Sequence, residues 1–193
     1  MDNGGELYRQ FLGGDKNALV QIIRLYKDGL TYFLSGFCGG RLNEAEELTE
    51  ETFVRLYVKK PKYSARSSFK TWLYSVGRNV AVDAARKSRK YLTENYEQTA
   101  QPDLNTDPES VYFSNVRNIL LYNAMGRLKD EYRQVLWLVY FENMKSAEAA
   151  RVMKKKTNNI DVMLHRARAA LKKELEKDGV DYENICTNGG RGF

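Results

Sequence analysis

Between Ser67 and Lys90 the chain reads SSFKTWLYSVGRNVAVDAARKSRK, a stretch that combines cations, flat rings and an amide. Small polar residues open it and can cap the first turn of a helix. Phe69, Leu73, Val76, Val80 and Ala84 follow one another three or four positions apart, so on a helix they share an apolar face. A second face carries Trp72, Asn79, Asp83, Arg86 and Lys90, and a third carries Lys70, Tyr74 and Arg78. This is the chemistry nucleic acid asks for: cations for phosphates, rings for unstacked bases, amides for base edges. From Lys59 to Lys90 there are ten Lys or Arg and one acid, Asp83. A single basic helix is also consistent with an ordinary solvated surface, with Trp72 in a core, so the remainder of the chain must decide.

Composition removes several function classes. The 193 residues suit one or two small domains, and a 42% apolar share is enough for packed cores. The net charge of +6 is compatible with an anionic partner. No apolar run is long enough to cross a bilayer, so no membrane insertion is expected. The opening residues, MDNGGELYRQ, lack the layout of a signal peptide. Two cysteines far apart, Cys38 and Cys186, form no disulfide framework, and the reducing cytoplasm is the expected location. Cys38 reads as a small core residue and Cys186 as exposed in a polar tail. His165 is the only histidine, which leaves metal clusters and imidazole-based catalytic pairs little to work with. The glycine pairs lack a phosphate-loop continuation. No metal, cofactor or catalytic residue is expected, and the case for an enzyme is thin.

The elements that must hold the basic helix read as all-α. Asp15 can cap a helix running to about Phe37, with Leu19, Ile22, Ile23, Tyr26, Leu30, Phe33, Leu34 and Phe37 at helical spacing. Gly39–Gly40 ends it, and Gly29 inside it invites a bend. Asn43 starts another helix, with Glu46 completing a capping box. Glu44, Glu46, Glu47, Glu50 and Glu51 crowd its first turns, where the helix dipole favours negative charge. Ala45, Leu48, Thr52, Phe53 and Leu56 should face inward, leaving an acidic ridge that ends at Arg55. Lys59–Ser68 is a basic loop, broken from the preceding helix by Pro61.

Residues 91–115 change character, with five acids, no Lys or Arg and two prolines, which is the composition of a flexible linker. The helical pattern then returns. Asp130 can cap a segment, EYRQVLWLVYFEN, that is apolar nearly all round and should be the centre of a second small domain. Ser146–Met153 is a short helix, Lys154–Lys156 a tight basic turn, and Thr157–Lys177 a long helix with an inner stripe of Ile160, Leu164, Ala167 and Leu171. Asp161, Val162, His165 and Arg166 fall on its outer face. A short helix, a turn and a longer helix with a polar outward stripe form the helix-turn-helix pattern. The expected layout is a first domain over 5–90, the linker, a second domain over 116–177, and a polar tail over 178–193. Two tethered DNA-contacting modules would read two separated sites.

With these blocks in view, the chain resembles a bacterial RNA polymerase sigma factor of the sigma-70 family, extracytoplasmic-function class. The resemblance lies in NEAEELTEETFVRLY (43–57), SFKTWLYSVGRNVAVDAARK (68–87) and LKDEYRQVLWLVYFENMKSAEAARVMKKKTNNIDVMLHRARAAL (128–171). It implies that Glu46, Glu47, Glu50, Glu51, Phe53, Arg55 and Leu56 dock on the β′ clamp helices of core RNA polymerase. It places Phe69, Trp72 and Tyr74 where aromatics support strand opening at the −10 promoter DNA. Lys62, Arg66, Lys70, Arg78, Asn79, Asp83, Arg86 and Lys87 would form the base and backbone surface beside them. Lys155, Lys156, Thr157, Asn158, Asn159, Asp161, Val162, His165 and Arg166 would meet the −35 element. The β flap, promoter DNA and an anti-sigma factor complete the partners the resemblance implies.

The second domain departs from the family pattern. Ser146 is expected to cap one residue later than the usual position, Lys145. Lys154 replaces a turn glycine, and Asp161 and Met163 stand where cations are usual. Asn158 and Asn159 could read adenine edges instead. Two other readings compete. An ordinary helix-turn-helix regulator would leave the acidic ridge and the Trp72 helix unexplained. A metal-dependent enzyme acting on nucleic acid would need a carboxylate cluster, for which Glu44–Glu51 is the one candidate.

Overall fold

A computed structural model describes residues 3–94 and 116–179, with side chains placed for 3–88 and 120–179. The expected linker from 95 onward, most of the tail and Cys186 lie outside the described residues. What is described is all-helical. A first group comprises α1 (Gly4–Leu12), α2 (Lys16–Ser35), α3 (Leu42–Lys59) and α4 (Phe69–Glu94). A second comprises α5 (Val116–Gly126), α6 (Asp130–Leu136), α7 (Ser146–Met153) and α8 (Thr157–Lys177). A π-helical turn, Trp137–Phe141, extends α6.

The first group follows from its apolar spacing. Asp15 caps α2 as expected, its Oδ1 accepting the Asn17 N–H at 2.8 Å. Ile22, Leu30, Phe33 and Leu34 from α2, Leu56 from α3 and Leu73 from α4 are fully buried together. Between α2 and α3 the Thr31 hydroxyl donates to Thr49 Oγ1 at 2.9 Å, and Thr49 in turn donates to the Ala45 carbonyl. Both threonines are buried with these bonds made, so neither leaves a costly orphan.

Several expected boundaries shift. α2 is unbroken through Gly29 and stops at Gly36, ahead of Gly39–Gly40. Gly29 is there because the second group needs the space: a methyl at that position would fall 2.1 Å from Glu142 Oε1. α3 starts at Leu42 with Arg41 at its N-cap, so Asn43 lies inside the helix; an Arg41–Glu44 ion pair takes the place of the expected capping box. α1, not anticipated from the sequence, buries Leu7, Tyr8 and Phe11. α4 is capped by Ser68, whose Oγ accepts the Thr71 N–H at 3.2 Å, and its backbone stays helical to Glu94.

In the second group, α7 begins at Ser146 with Lys145 as N-cap, which corrects the expected Ser146 cap. Glu148 reaches back to accept the Lys145 N–H at 3.1 Å, so the carboxylate half of a capping box does the work. α8 buries Ile160, Ala167, Leu171 and Leu175 on the inner stripe, with Leu164 half-buried. Lys154 adopts φ 53°, ψ 44°, the left-handed geometry that glycine usually supplies. For an L-residue with a Cβ that conformation costs about 1–2 kcal/mol. Lys154→Gly should therefore raise the stability of the chain by about 1 kcal/mol, while Lys154→Val should lower it, both read from urea unfolding midpoints at unchanged slope.

Candidate nucleic-acid interface

α4 begins in a knot of rings. Trp72 packs against Tyr8, Tyr63 and Phe69 with centroids 5.1, 5.3 and 5.3 Å apart, and Phe69 meets Tyr26 at 5.7 Å. The Tyr8 hydroxyl donates to the Pro61 carbonyl at 2.8 Å and Tyr63 donates to the Ser67 carbonyl at 2.7 Å, tying the basic loop to the knot. Within it Phe69 is buried, while Trp72 is only partly buried. Further along the same side, Asn79 and Asp83 are half-exposed and Arg86 is exposed; Lys62, Arg66 and Lys87 are also exposed. Asp83 accepts from Arg55 at 3.3 Å, and Arg55 also lies 3.5 Å from Glu51.

Phe69 and Tyr74, expected among the strand-opening rings, are core residues at 1% and 0% exposure. The reason is that α4 packs on two sides, against the first group and against the second. Tyr74 lies 5.4 Å from Phe33, ring to ring. Burial first, then the charge of Glu142, hold its phenol well above the usual range. Lys70 lies on that same covered side, its ammonium 2.8 Å from Glu142 Oε2. Arg78 is half-buried and lines a groove of about 330 Å³ with Gly36, Phe37, Asp130, Glu131, Gln134, Met153, Lys154 and Lys155. Burial lowers the Arg78 pKa from its ordinary value.

The acidic ridge of α3 is solvent-facing at Glu46, Glu47, Glu50 and Glu51. Phe53 and Leu56, expected beside them, are in the core at 6% and 0% exposure, and Arg55 is half-buried. Val54, Tyr57 and Val58 stand out instead, 52%, 49% and 68% exposed. The sequence carried the signal for this: if Thr52, Phe53 and Leu56 point inward, a period of 3.6 turns Val54, Tyr57 and Val58 outward with Glu47, Glu50 and Glu51.

On α8 and the turn before it, Lys156, Thr157, Asn158, Asn159, Asp161, Val162, His165 and Arg166 are all exposed. Lys155 is half-buried and paired with Glu131 at 2.9 Å. The helix thus presents a polar outer stripe above a buried inner one. Among the described residues no three His, Cys, Asp or Glu side chains come together to hold a metal ion. The Cys38 thiol is buried and held up at about 11, chiefly by desolvation and then by Glu44.

Residues 22–91 match the family model Sigma-70 region 2, and residues 119–171 match Sigma-70, region 4. The chain is 28% identical over 176 residues to the ECF RNA polymerase sigma factor SigW of Bacillus subtilis, covering 86% of this chain and 94% of that one. To SigM of the same organism it is 30% identical over 163 residues, covering 84% and 98%. The sigma factor RpoE of Bartonella quintana, solved in complex with the anti-sigma factor NepR, has the same fold: TM-score 0.64 at 19% identity, over 82% of this chain and 96% of that one. Two region models in the expected order, and near-complete coverage of a relative at 30% identity, place this chain in the extracytoplasmic-function class of the sigma-70 family of RNA polymerase sigma factors.

Proposed function

We propose that this sigma factor docks on core RNA polymerase through α3, draws a strand of the −10 promoter element onto α4, and meets the −35 element with α8. The observation that carries the reading is the pairing of two solvent-facing strips, each backed by core. One runs Trp72, Asn79, Asp83 and Arg86 along α4; the other runs Asn158, Asn159, Val162, His165 and Arg166 along α8. The docking surface is the ridge Glu46, Glu47, Glu50 and Glu51 continued by Val54, Tyr57 and Val58, which suits a basic, partly apolar face such as the β′ clamp helices. Phe53 and Leu56 support it from beneath. The apolar second group would meet the β flap. The family likeness to a sigma factor described with an anti-sigma factor makes such a protein a further partner. The site of action is the cytoplasm, where the polymerase works; among the described residues no helix is long and apolar enough to cross a membrane.

The mechanism is differential binding, with bond chemistry left to the polymerase. Unstacking duplex DNA costs about 1–2 kcal/mol per step. A base stacked on the accessible part of the Trp72 ring would return about 1–3 kcal/mol. Asn79 can hydrogen-bond a base edge, and Arg86, Lys87, Lys62 and Arg66 neutralise phosphates without regard to sequence. At the start of α8 the free N–H groups favour a phosphate, while Asn158 and Asn159 can bond adenine edges in the major groove. Asp161 faces outward where it repels phosphate, so the −35 contact should rest on amides more than on charge.

Mixed with core polymerase and a promoter library, the chain should direct run-off transcripts that core alone does not make; no transcript on any template overturns the reading. Trp72→Ala should reduce open-complex formation by the loss of one stacked base, about 1–3 kcal/mol, or roughly five- to 150-fold. Its affinity for core should stay within about twofold, with thermal unfolding checking the fold; equal losses of both would remove Trp72 from strand opening. Glu50→Lys with Val54→Asp should do the reverse, weakening capture by core polymerase in pull-down while leaving the thermal unfolding midpoint of the free chain nearly unchanged.

A further inference from the structure

Beyond the end of α2, the groove of about 330 Å³ between α4, α6 and the end of α7 holds polar groups that the protein itself does not satisfy. Its volume falls within the range of small-molecule sites, roughly 300–1,000 Å³. Phe37 and Met153 give it an apolar lining, and Arg78, Gln134 and Lys154 bring polar heads. Two carboxylates also line it, and both are already compensated. Asp130 pairs with Arg133 at 2.5 Å, and Glu131 pairs with Lys155 at 2.9 Å.

The other three polar groups have no such partners. Among the described residues no hydrogen bond or ion pair reaches the Arg78 guanidinium, the Lys154 ammonium or the Gln134 carboxamide. Arg78 is half-buried, and burial alone acts on its pKa, with no carboxylate beside it to offset the lost water. Gln134 is 6% exposed, so its amide is withdrawn from bulk solvent and still unbonded. Buried polar groups are bonded as a rule, and an exception asks for a reason. Gly36 keeps the space around that amide open, since a methyl there would fall 2.8 Å from Gln134 Nε2. Lys154 keeps a side chain at φ 53°, where glycine would relax the backbone.

We infer that this groove is a binding site for a small phosphate monoester, with the phosphate on Arg78, Lys154 and Gln134 and the organic body against Phe37 and Met153. The charge count selects phosphate. A monoester carries about 1.5–2 negative charges at neutral pH, and two uncompensated cations line the groove; a carboxylate would satisfy only one. The guanidinium fork bonds two phosphate oxygens side by side, while the ammonium supplies a point charge. The Gln134 amide donates to a remaining oxygen. The site is independent of which bases α4 or α8 reads.

The test titrates the full chain with phenyl phosphate, inorganic phosphate and benzoate by calorimetry at about 0.15 M salt, where long-range attraction to a basic chain is screened. Phenyl phosphate should occupy one saturable site with a Kd below about 1 mM. It should bind more tightly than inorganic phosphate, which lacks the ring, and than benzoate, which lacks the second charge. Arg78→Gln should weaken it roughly tenfold to a hundredfold, the range for hydrogen bonds to a charged group. Lys27→Gln, a charge-matched change on the exposed side of α2, should leave it unchanged. If Arg78→Gln fails to fold, Gln134→Leu supplies the comparison. That variant should also weaken phenyl phosphate, yet leave the thermal midpoint of the ligand-free chain no lower, because the amide bonds nothing within the protein. No saturable heat with phenyl phosphate, equal affinity in wild type and Arg78→Gln, or equal losses in Arg78→Gln and Lys27→Gln overturns the site. Phenyl phosphate binding that survives Arg78→Gln, while a random single-stranded DNA pool loses affinity for the same variant, also overturns it and assigns the guanidinium to a DNA strand.

Discussion

The packing of rings around the start of α4 is the constraint on which the remainder depends. Tyr8, Tyr26, Tyr63, Phe69 and Trp72 come from three helices and a loop, and they fix where α4 begins and how it is rotated. Each ring pair is worth about 0.5–1.5 kcal/mol beyond the area it buries. Under the proposed role, a surface that accepts a flipped base must be rigid before the base arrives, or ordering it consumes the stacking gain. The Tyr8 and Tyr63 hydroxyls extend the same rigidity to the Lys59–Ser68 loop, so cations and rings are positioned by one cluster.

The second group solves a different problem, how to place a carboxylate and an indole on a neighbouring helix. The π-helical turn at Trp137–Phe141 lies just before Glu142, and within it Trp137 and Phe141 stack at 4.5 Å and 12°. Trp137 also lies 4.0 Å from the Tyr32 ring of α2. A π-turn inserts a residue relative to regular helix and is often tied to function. Here it carries the chain from core packing, with Leu136 and Leu138 fully buried, to the Glu142 and Trp137 contacts with α2 and α4.

Much of this was legible from periodicity. The inner stripes of α2 and α8, the inward set of α3, the Asp15 cap and the left-handed backbone at Lys154 all follow from local rules on helix faces and ends. Periodicity says which residues share a face; it does not say how many faces will be covered. Tyr74 and Lys70 lie on a face of α4 that looks like surface until the second group is packed over it. Gly29 looked like a weak point because its reason is a carboxylate more than a hundred positions away. Asn43 has the right residue type for a cap, but Arg41 and Glu44 start the helix a turn-fraction earlier, and boundary placement is where local signals compete most closely. Phe53 and Leu56 were read both as inward and as part of a docking surface; burial decides for the first.

Cys38, sealed among the apolar side chains where α2 ends, has a consequence of another kind. With its thiol held near 11, only about one molecule in ten thousand carries the thiolate at neutral pH. Peroxide and alkylating agents act on the thiolate, and steric closure slows them further. The folded first group is therefore chemically quiet towards oxidants at this position, and modification of Cys38 would keep time with the transient breathing of the surrounding helices.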